Sequence, residues 1–112
     1  MKSPITTHIL DTSLGRPAEG VGVQLERCEQ DDWIALGSGV TDSDGRITTL
    51  MSEKLQAGTY RLTFQIDAYF QRLELRAFYP EVTIAFRVDS EAEHYHVPLL
   101  LNPFGYSTYR GS

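Results

Sequence analysis

Cysteine is almost absent from this chain, which has a single residue of that type, Cys28, among 112. A lone thiol excludes a disulfide framework and a cysteine-rich zinc site. Cys28 lies between Arg27 and Glu29 in a stretch whose polarity predicts a turn, and nothing near it in sequence marks it as an activated thiolate. We therefore predict no catalytic role for Cys28.

Clustered positive charge is also missing. The 10 lysine and arginine residues are scattered from Lys2 to Arg110, and the formal net charge is -5. A nucleic-acid partner needs a basic patch or stripe, because phosphate contacts supply much of the affinity. The composition therefore predicts no nucleic-acid partner.

Long hydrophobic runs are missing as well. No stretch approaches the roughly 18 apolar residues that a membrane helix needs. The beginning of the chain, MKSPITTHILDTS, lacks the apolar centre of a signal peptide. We therefore expect no membrane partner and a cytoplasmic location.

The chain does have enough hydrophobic material for one core. Hydrophobic residues make up 41% of it and charged residues 22%, which is the ordinary globular range. The length suits a single domain over residues 1–112. The sequence shows no repeat, linker or low-complexity segment.

Alternation of apolar and polar residues dominates the sequence and predicts half-buried β-strands. It is clearest at residues 58–66 and 80–88, and weaker strand signals lie at residues 5–10, 21–27, 33–40, 47–50 and 94–101. A helix is predicted only after Ile66, with Asp67 as its N-cap and an end near Leu75. About eight short strands separated by turns predict an all-β antiparallel sandwich or barrel with one short helix.

The predicted strand at residues 94–101 departs from simple alternation. One face carries Tyr95, Val97, Leu99 and Leu101, and the other carries His94, His96, Pro98 and Leu100. Both faces become apolar toward the end of the strand, although a sandwich has only one interior. Because large exposed apolar patches usually mark interfaces, we expect another subunit to cover the outward face. A few tolerated surface apolar residues are the alternative.

Histidine is the side chain best suited to moving protons near neutral pH, and the chain has 3, His8, His94 and His96. Each alone is more often a hydrogen-bonded surface or interface residue than a catalyst. His8 and His96 lie on the outward faces of their predicted strands, which favours a functional role. His94 and His96 share one side of a strand and, with His8, would offer three nitrogen ligands. We disfavour this metal site because the only acidic residue nearby in sequence is Glu93.

The stretch TDSDGR, residues 41–46, has the composition of a calcium loop, but its spacing excludes one. With Gly45 as the sixth residue of an EF-hand loop, the first and twelfth would be Val40 and Met51, neither of which offers a side-chain ligand. We therefore predict a turn at residues 42–45, with Arg46 at the start of the next strand. Arg46 is either an ordinary surface residue or a fixed guanidinium for an anionic or carbonyl oxygen.

The last eight residues, GYSTYRGS, place Tyr106, Tyr109 and Arg110 directly behind the apolar run at residues 97–101. Chain ends usually fray, and a tail that nothing holds gains little from such side chains. The tail is therefore either an unattached chain end or a segment held in place by contacts with other parts of the structure.

Four segments together resemble one family: ITTHILDTSLGRPAEGV, TDSDGR, FYPEVTIAF and HYHVPLLLNPFGYSTYRGS. They resemble the 5-hydroxyisourate hydrolases, the transthyretin-related enzymes of urate breakdown, over residues 6–112. The most specific part is YRGS, which closes the protein in that family. The departures are mild: Ile9, Asn102 and Phe104 stand where valine, serine and tyrosine are usual. None of them removes a group that the chemistry needs.

The resemblance implies a transthyretin-like antiparallel sandwich of two four-stranded sheets with one short helix, in a single hydrolase domain. It further implies a homotetramer, a dimer of dimers, with active sites in the groove where two dimers meet. Matched residue by residue, it implies catalytic roles for His8, Arg46 and His96. It implies substrate-binding roles for His8, Arg46, Tyr109, Arg110, Gly111 and Ser112. The tail is then an active-site wall held against a neighbouring subunit, and no metal or cofactor is needed.

The activity implied by the resemblance is hydrolysis of 5-hydroxyisourate to 2-oxo-4-hydroxy-4-carboxy-5-ureidoimidazoline. It would proceed by metal-free general-base activation of water, with either His8 or His96 as the base. Two other classes of function stay open: a small-molecule carrier, as transthyretin itself is, and a plain adhesion or scaffold sandwich. A carrier of apolar ligands gains nothing from burying two histidines and an arginine, and a scaffold leaves the terminal motif unexplained.

Overall fold

The computed structural model describes residues 3–112, so that Met1 and Lys2, which the predicted domain includes, lie outside the described residues. The elements in chain order are β1 (Ile5–Asp11), β2 (Arg16–Pro17), β3 (Gly22–Glu29), β4 (Asp32–Val40), β5 (Arg46–Ile47), β6 (Gly58–Gln65), α1 (Ile66–Arg72), β7 (Val82–Val88), β8 (Tyr95–Asn102) and β9 (Gly105–Thr108). They build an all-β sandwich of two sheets with one short helix, as the resemblance implies, whereas the alternation alone left a sandwich or a barrel open.

The first sheet has the strand order β2-β1-β8-β9, and β5 also pairs with β1. Both short strands lie on the same edge of β1, with β2 opposite Leu10 and Asp11 and β5 opposite Thr7 and His8. The sheet is therefore four strands wide although five strands contribute to it. Its centre corrects one expectation, because β1 and β8 run parallel rather than antiparallel. Their distance along the chain permits this, since parallel neighbours need a long crossover between them.

The second sheet has the order β4-β3-β6-β7, and all of its pairs are antiparallel. A register shift between Leu25 and Glu26 marks a β-bulge against β4. Cys28 lies on β3 opposite Trp33, so the turn predicted around it is wrong. The chain turns two residues later, at Gln30 and Asp31, which both have positive φ.

The core lies between the two sheets and is made of the side chains that the alternation assigned to inner faces. Tyr60, Leu62 and Phe64 of β6 are fully buried, as are Ile5 and Ile9 of β1. Residues on β8 extend the same core, which includes Tyr95, Val97, Leu99 and Leu101. Full burial of one such side chain stabilises the fold by about 1.5–3 kcal/mol, so the inner faces fix the register of the strands that carry the outer ones.

Helix α1 differs from its predicted form at both ends. It begins at Ile66 directly after β6, with Gln65 rather than Asp67 at the cap position and no side-chain cap. It ends at Arg72, and the N–H groups of Leu73 and Glu74 bond to carbonyls of the last turn. Glu74 has a φ of 59°, a left-handed conformation that stops the helix before Leu75. No helix among the described residues is long and apolar enough to cross a membrane.

The short strands show where the predicted boundaries fail. The strand expected at residues 47–50 is reduced to Arg46–Ile47, and Arg16–Pro17, which lies outside every predicted strand, pairs with β1. The strand predicted from Pro80 begins at Val82. Local composition does not reveal these bounds, because each is set by a partner that is distant in sequence.

The tail is tied to its own chain rather than frayed. Strand β9 pairs antiparallel with β8, and beyond it the N–H of Gly111 donates to the carbonyl oxygen of His96 at 2.8 Å. The guanidinium of Arg110 pairs with Glu93 at 3.2 Å and lies 4.5 Å from the ring centre of Tyr95. On the outward face of β8, Pro98 is buried and Leu100 half-buried. Cover by another subunit stays a prediction for this face.

Candidate active site

His8 and Arg46 are brought together by the pairing of β1 with β5, in which they stand directly opposite each other. The turn at residues 42–45 positions Arg46 opposite His8. The carboxylate of Asp42 accepts hydrogen bonds from the backbone N–H groups of Asp44 at 2.9 Å and Arg46 at 3.0 Å. Gly45 has a φ of +75°, and a Cβ there would collide with the carbonyl oxygen of Ile9. The predicted turn thus fixes the position of Arg46 next to His8, although the two residues are 38 positions apart in the sequence.

His96 reaches the same face through the parallel pair of β1 and β8, in which Thr6 stands opposite His96. The hydroxyl of Thr6 lies 2.8 Å from Nδ1 of His96 and 2.9 Å from Nε2 of His94. The ring centres of His8 and His96 are 6.5 Å apart. His94 and His96 therefore lie on one side of the sheet, as the HxH spacing predicts, and the hydroxyl of Thr6 lies between their rings.

An open cavity of about 510 Å³ lies at this face, and its lining does not include His8. Its lining includes Thr6, Thr7, Arg46, Thr48, His94, His96 and Ser112. The lining combines a guanidinium, imidazoles and hydroxyls, so it suits a small polar molecule with oxygen and nitrogen at its rim.

The electrostatics of the site favour a neutral imidazole at position 8. Burial, and secondly the positive charge of Arg46, lower the pKa of His8 from its ordinary value of 6.5. The backbone and carboxylate of Asp44 and the carboxylate of Asp42 oppose the shift only in part. A neutral ring near pH 7 can accept a proton, which is what a general base must do.

The tail residues divide between two places. Ser112 lines the cavity with Arg46 and His96, and Gly111 lies against the His96 ring, where an added Cβ would be 2.7 Å from Cδ2. Tyr109 and Arg110 instead line a second cavity of about 300 Å³ beside β7, together with Phe86 and with His96, which therefore borders both cavities. Within one protomer, then, five predicted residues converge: His8, Arg46, His96, Gly111 and Ser112. The other two, Tyr109 and Arg110, share a cavity with His96 but not with Arg46.

Sequence reasoning missed Thr6 as a member of this site and considered His94 only as a metal ligand. Thr6 shares the outward face of β1 with His8, so period two could have found it. Its contact with both histidines depends on the parallel β1–β8 pair, which no local pattern signals. Among residues 3–112 no group of three or more His, Cys, Asp and Glu side chains is arranged to hold a metal ion.

A two-sheet sandwich with one short helix, carrying imidazoles on the outer faces of β1 and β8 and a guanidinium on the adjoining β5, defines a transthyretin-like protein. Residues 5–111 match the model of the HIUase/Transthyretin family. The chain belongs to that family.

The chain is similar to named 5-hydroxyisourate hydrolases from a bacterium and from the mouse. The chain is 49% identical over 109 residues to the 5-hydroxyisourate hydrolase of Salmonella dublin, covering 96% of this chain and 80% of that protein. It is 42% identical over 113 residues to the 5-hydroxyisourate hydrolase of Mus musculus, covering 98% of this chain and 96% of that protein.

Two solved structures that resemble this chain are a hydrolase and a transthyretin. The 5-hydroxyisourate hydrolase of Klebsiella pneumoniae superimposes with a TM-score of 0.85 at 42% identity, covering 96% of this chain and 98% of that one. Sea bream transthyretin in complex with thyroxine superimposes with a TM-score of 0.91 at 33% identity, covering 97% of this chain and 95% of that one. The backbone therefore fits a hydrolase and a hormone-binding protein about equally well, and sequence identity favours the hydrolases.

Proposed function

We propose that this protein is a cyclic amide hydrolase that converts 5-hydroxyisourate to 2-oxo-4-hydroxy-4-carboxy-5-ureidoimidazoline, a step of purine breakdown. The observation that carries the proposal is the meeting of His8, Arg46 and His96 on one face, where Arg46 and His96 line a polar cavity and His8 stands opposite Arg46. The identity to named 5-hydroxyisourate hydrolases over nearly the whole chain supports it.

The product defines the bond that breaks. A carboxyl and a ureido group arise when water adds to a ring carbonyl and the adjacent carbon–nitrogen bond opens. The water oxygen forms the new bond to carbon, its proton passes to an imidazole, and the leaving nitrogen regains a proton. The site must therefore supply a base, a group that stabilises the oxyanion, and an acid.

Arg46 is suited to stabilise the oxyanion. Its guanidinium carries a permanent charge and several N–H donors in a fixed plane, and its backbone position is fixed by Asp42 and by the pairing with β1. One well-placed donor to a developing oxyanion is worth about 3 kcal/mol.

The base is either His8 or His96. A lowered pKa keeps His8 neutral, and His96 shares a hydrogen bond with Thr6 that orients its ring. General-base catalysis contributes about 10²–10⁴-fold in rate. The imidazole that takes the proton from water can then return it to the leaving nitrogen.

Carrier function is the rival, because the fold of a thyroxine-bound transthyretin matches so well. The cavity argues against it. An apolar ligand would strip water from a guanidinium and two imidazoles without offering them hydrogen bonds, which costs free energy.

Tyr109 and Arg110 join the substrate site in our proposal through assembly of a homotetramer. Within a protomer they line the second cavity with His96 but not the polar cavity with Arg46, so they would have to reach the polar cavity of a neighbouring copy. The bridge between Gly111 and His96 holds the end of the tail beside the site, from which it could extend toward that copy.

The proposed activity is tested by generating 5-hydroxyisourate from urate in situ and following its ultraviolet decay. We expect His8→Ala, Arg46→Ala and His96→Ala each to remove most of the catalysed rate while circular dichroism stays unchanged. Arg16→Ala is the matched control, because Arg16 is also an exposed arginine on a short strand paired with β1. Full activity in two of the three site variants, or an inactive wild type, would defeat the proposal.

A further inference from the structure

The contact of one threonine hydroxyl with two histidine rings has a consequence for proton chemistry. Thr6 is 4% exposed, and its Oγ1 lies within hydrogen-bond distance of Nε2 of His94 and Nδ1 of His96. A hydroxyl has one proton to donate and lone pairs to accept with. Thr6 can therefore donate to only one of the two rings.

The second ring must then donate an N–H to Thr6 for both contacts to be hydrogen bonds. Among residues 3–112 the two rings are the hydrogen-bond partners of this hydroxyl, and a buried hydroxyl proton left without an acceptor destabilises the fold. The three groups thus adopt one of two directed arrangements, because each direction of the Thr6 hydroxyl fixes the tautomer of both histidines.

In the first arrangement Thr6 donates to Nε2 of His94, and Nδ1–H of His96 donates to Thr6. A neutral His96 then carries its proton on Nδ1, and Nε2 has the lone pair that accepts a proton from water. In the second arrangement Nε2–H of His94 donates to Thr6, which donates to Nδ1 of His96. A neutral His96 then carries its proton on Nε2 and cannot act as a base there.

We propose that His94, acting through Thr6, sets the tautomer of His96 and so decides whether His96 is a base. Neutral His94 accepts from Thr6 and holds His96 in its basic form. Protonated His94 has an N–H on both ring nitrogens, so it can only donate to Thr6, and the chain of bonds reverses. His94 and Thr6 are positioning residues in this scheme, and the inference rests on the proposed hydrolysis only for its effect on rate.

The surroundings allow His94 to sense the pH of the solvent. His94 is exposed and precedes β8, whereas Thr6 is buried. The charged or titratable groups near the three residues are Arg46 across the cavity, His8 at 6.5 Å from His96, and the Glu93–Arg110 pair next in sequence.

The first test reads the tautomer itself on the folded wild-type protein. ¹⁵N NMR of labelled histidine distinguishes a protonated Nδ1 from a protonated Nε2. We expect His96 to be protonated on Nδ1 at about pH 8, where an ordinary histidine is neutral. A proton on Nε2 at that pH would overturn the inference.

The second test uses variants and the ultraviolet assay. We expect Thr6→Val to lower kcat about 10- to 100-fold with little change in KM, within the range of a general-base contribution. Thr6→Ser keeps the hydroxyl, so its kcat should lie within about threefold of the wild-type value. His94→Gln keeps an acceptor for Thr6 but cannot be protonated, so its activity should persist to lower pH than that of the wild type.

A purely structural role predicts a different pattern, with equal losses in the valine and serine variants and an unchanged pH profile in His94→Gln. That pattern would refute the inference. An inactive wild-type protein would instead refute the proposed hydrolysis, and the NMR measurement would still decide the tautomer. The two failures are therefore distinguishable.

Discussion

At the scale of single residues, the position of Arg46 opposite His8 makes the titration of His8 a direct probe of the site. Burial and the Arg46 charge both lower the pKa of His8. In Arg46→Gln we expect this pKa to rise, because a positive neighbour no longer disfavours the imidazolium. It should stay below 6.5, since burial of His8 remains. NMR titration of the His8 ring measures it, and Arg16→Gln should leave it unchanged.

The lowered pKa of His8 also predicts how the free energy of unfolding changes with pH. The unfolded chain binds a proton at His8 near pH 6.5, whereas the folded chain binds it only at lower pH. The free energy of unfolding should therefore decrease as the pH is lowered through 6.5, and level off below the pKa of the folded state. The decrease should be smaller in Arg46→Gln. An equal decrease in both proteins would contradict the assigned electrostatic contact.

Gly111 shows how closely the tail approaches His96, which we propose to be catalytic. A Cβ at this position would be 2.7 Å from Cδ2 of His96 and 3.2 Å from Cγ of Pro98. Gly111→Ala should therefore displace the His96 ring or the tail, and displacement by about 1 Å can cost about 100-fold in rate. We expect kcat/KM to fall at least about tenfold on that basis.

Gly105→Ala is the matched control for this substitution, because its nearest neighbour, Oδ1 of Asn102, would be 4.0 Å away. Steady-state kinetics and thermal unfolding should be measured on both variants. Similar rates in the two would show that the approach of Gly111 to His96 does not matter for catalysis.

At the scale of elements, helix α1 is joined to the first sheet by a buried hydrogen bond. The hydroxyl of Tyr69 donates to Oδ2 of Asp11 at 2.7 Å. Burial works to raise the pKa of the Asp11 carboxyl, but hydrogen bonds from Ser13, Tyr69 and the backbone of Leu14 together hold it below its ordinary value. The carboxylate at the end of β1 is thus kept charged by donors from the following turn and from the helix.

Tyr69→Phe should leave this buried carboxylate one donor short. Hydrogen bonds to charged groups contribute about 1.5–3 kcal/mol, so we expect the free energy of unfolding in urea to fall by about that amount. The pKa of Asp11 should rise in the variant, so that less of the stability near neutral pH would be lost on acidification. Tyr79→Phe serves as control, because Tyr79 is 40% exposed. Equal losses in the two variants would contradict the account.

The sequence predicts the long elements well and the short ones poorly, for a physical reason. Strands β3, β6 and β8 bury one face each, so alternation marks them wherever they pair. Two-residue strands such as β2 and β5 bury little, and they exist only because β1 offers an edge. The site follows the same division: the resemblance supplied His8, Arg46 and His96, whereas Thr6 became visible only with the parallel β1–β8 register.

At the scale of the whole molecule, the fold alone does not separate an enzyme from a carrier. A transthyretin that binds thyroxine and a 5-hydroxyisourate hydrolase both superimpose closely on this chain. The difference must therefore lie in the side chains at the outer face of β1 and β8 and in how copies are assembled around it. Function here is a property of that face and its neighbours, as expected for a fold that serves several activities.

Assembly is the step that the proposed site still needs, because Tyr109 lies outside the polar cavity of its own protomer. The outward side of β8 bears Leu100, which is only half-buried, next to the face that holds His96. A contact between copies at this face would cover Leu100 and bring a second tail toward the cavity. Sedimentation should then give a mass four times that of one chain.

Complementation between two inactive variants tests the shared site most sharply. His96→Ala and Tyr109→Ala protomers are co-expressed with different tags, and mixed assemblies carrying both tags are purified. If each site takes His96 from one copy and Tyr109 from another, some mixed sites contain both intact residues. With random pairing of copies about one quarter of sites should be intact, so about that share of wild-type activity should return. Mixed assemblies as inactive as either parent would mean that one protomer supplies both residues, through the second cavity that Tyr109 and His96 of the same copy line.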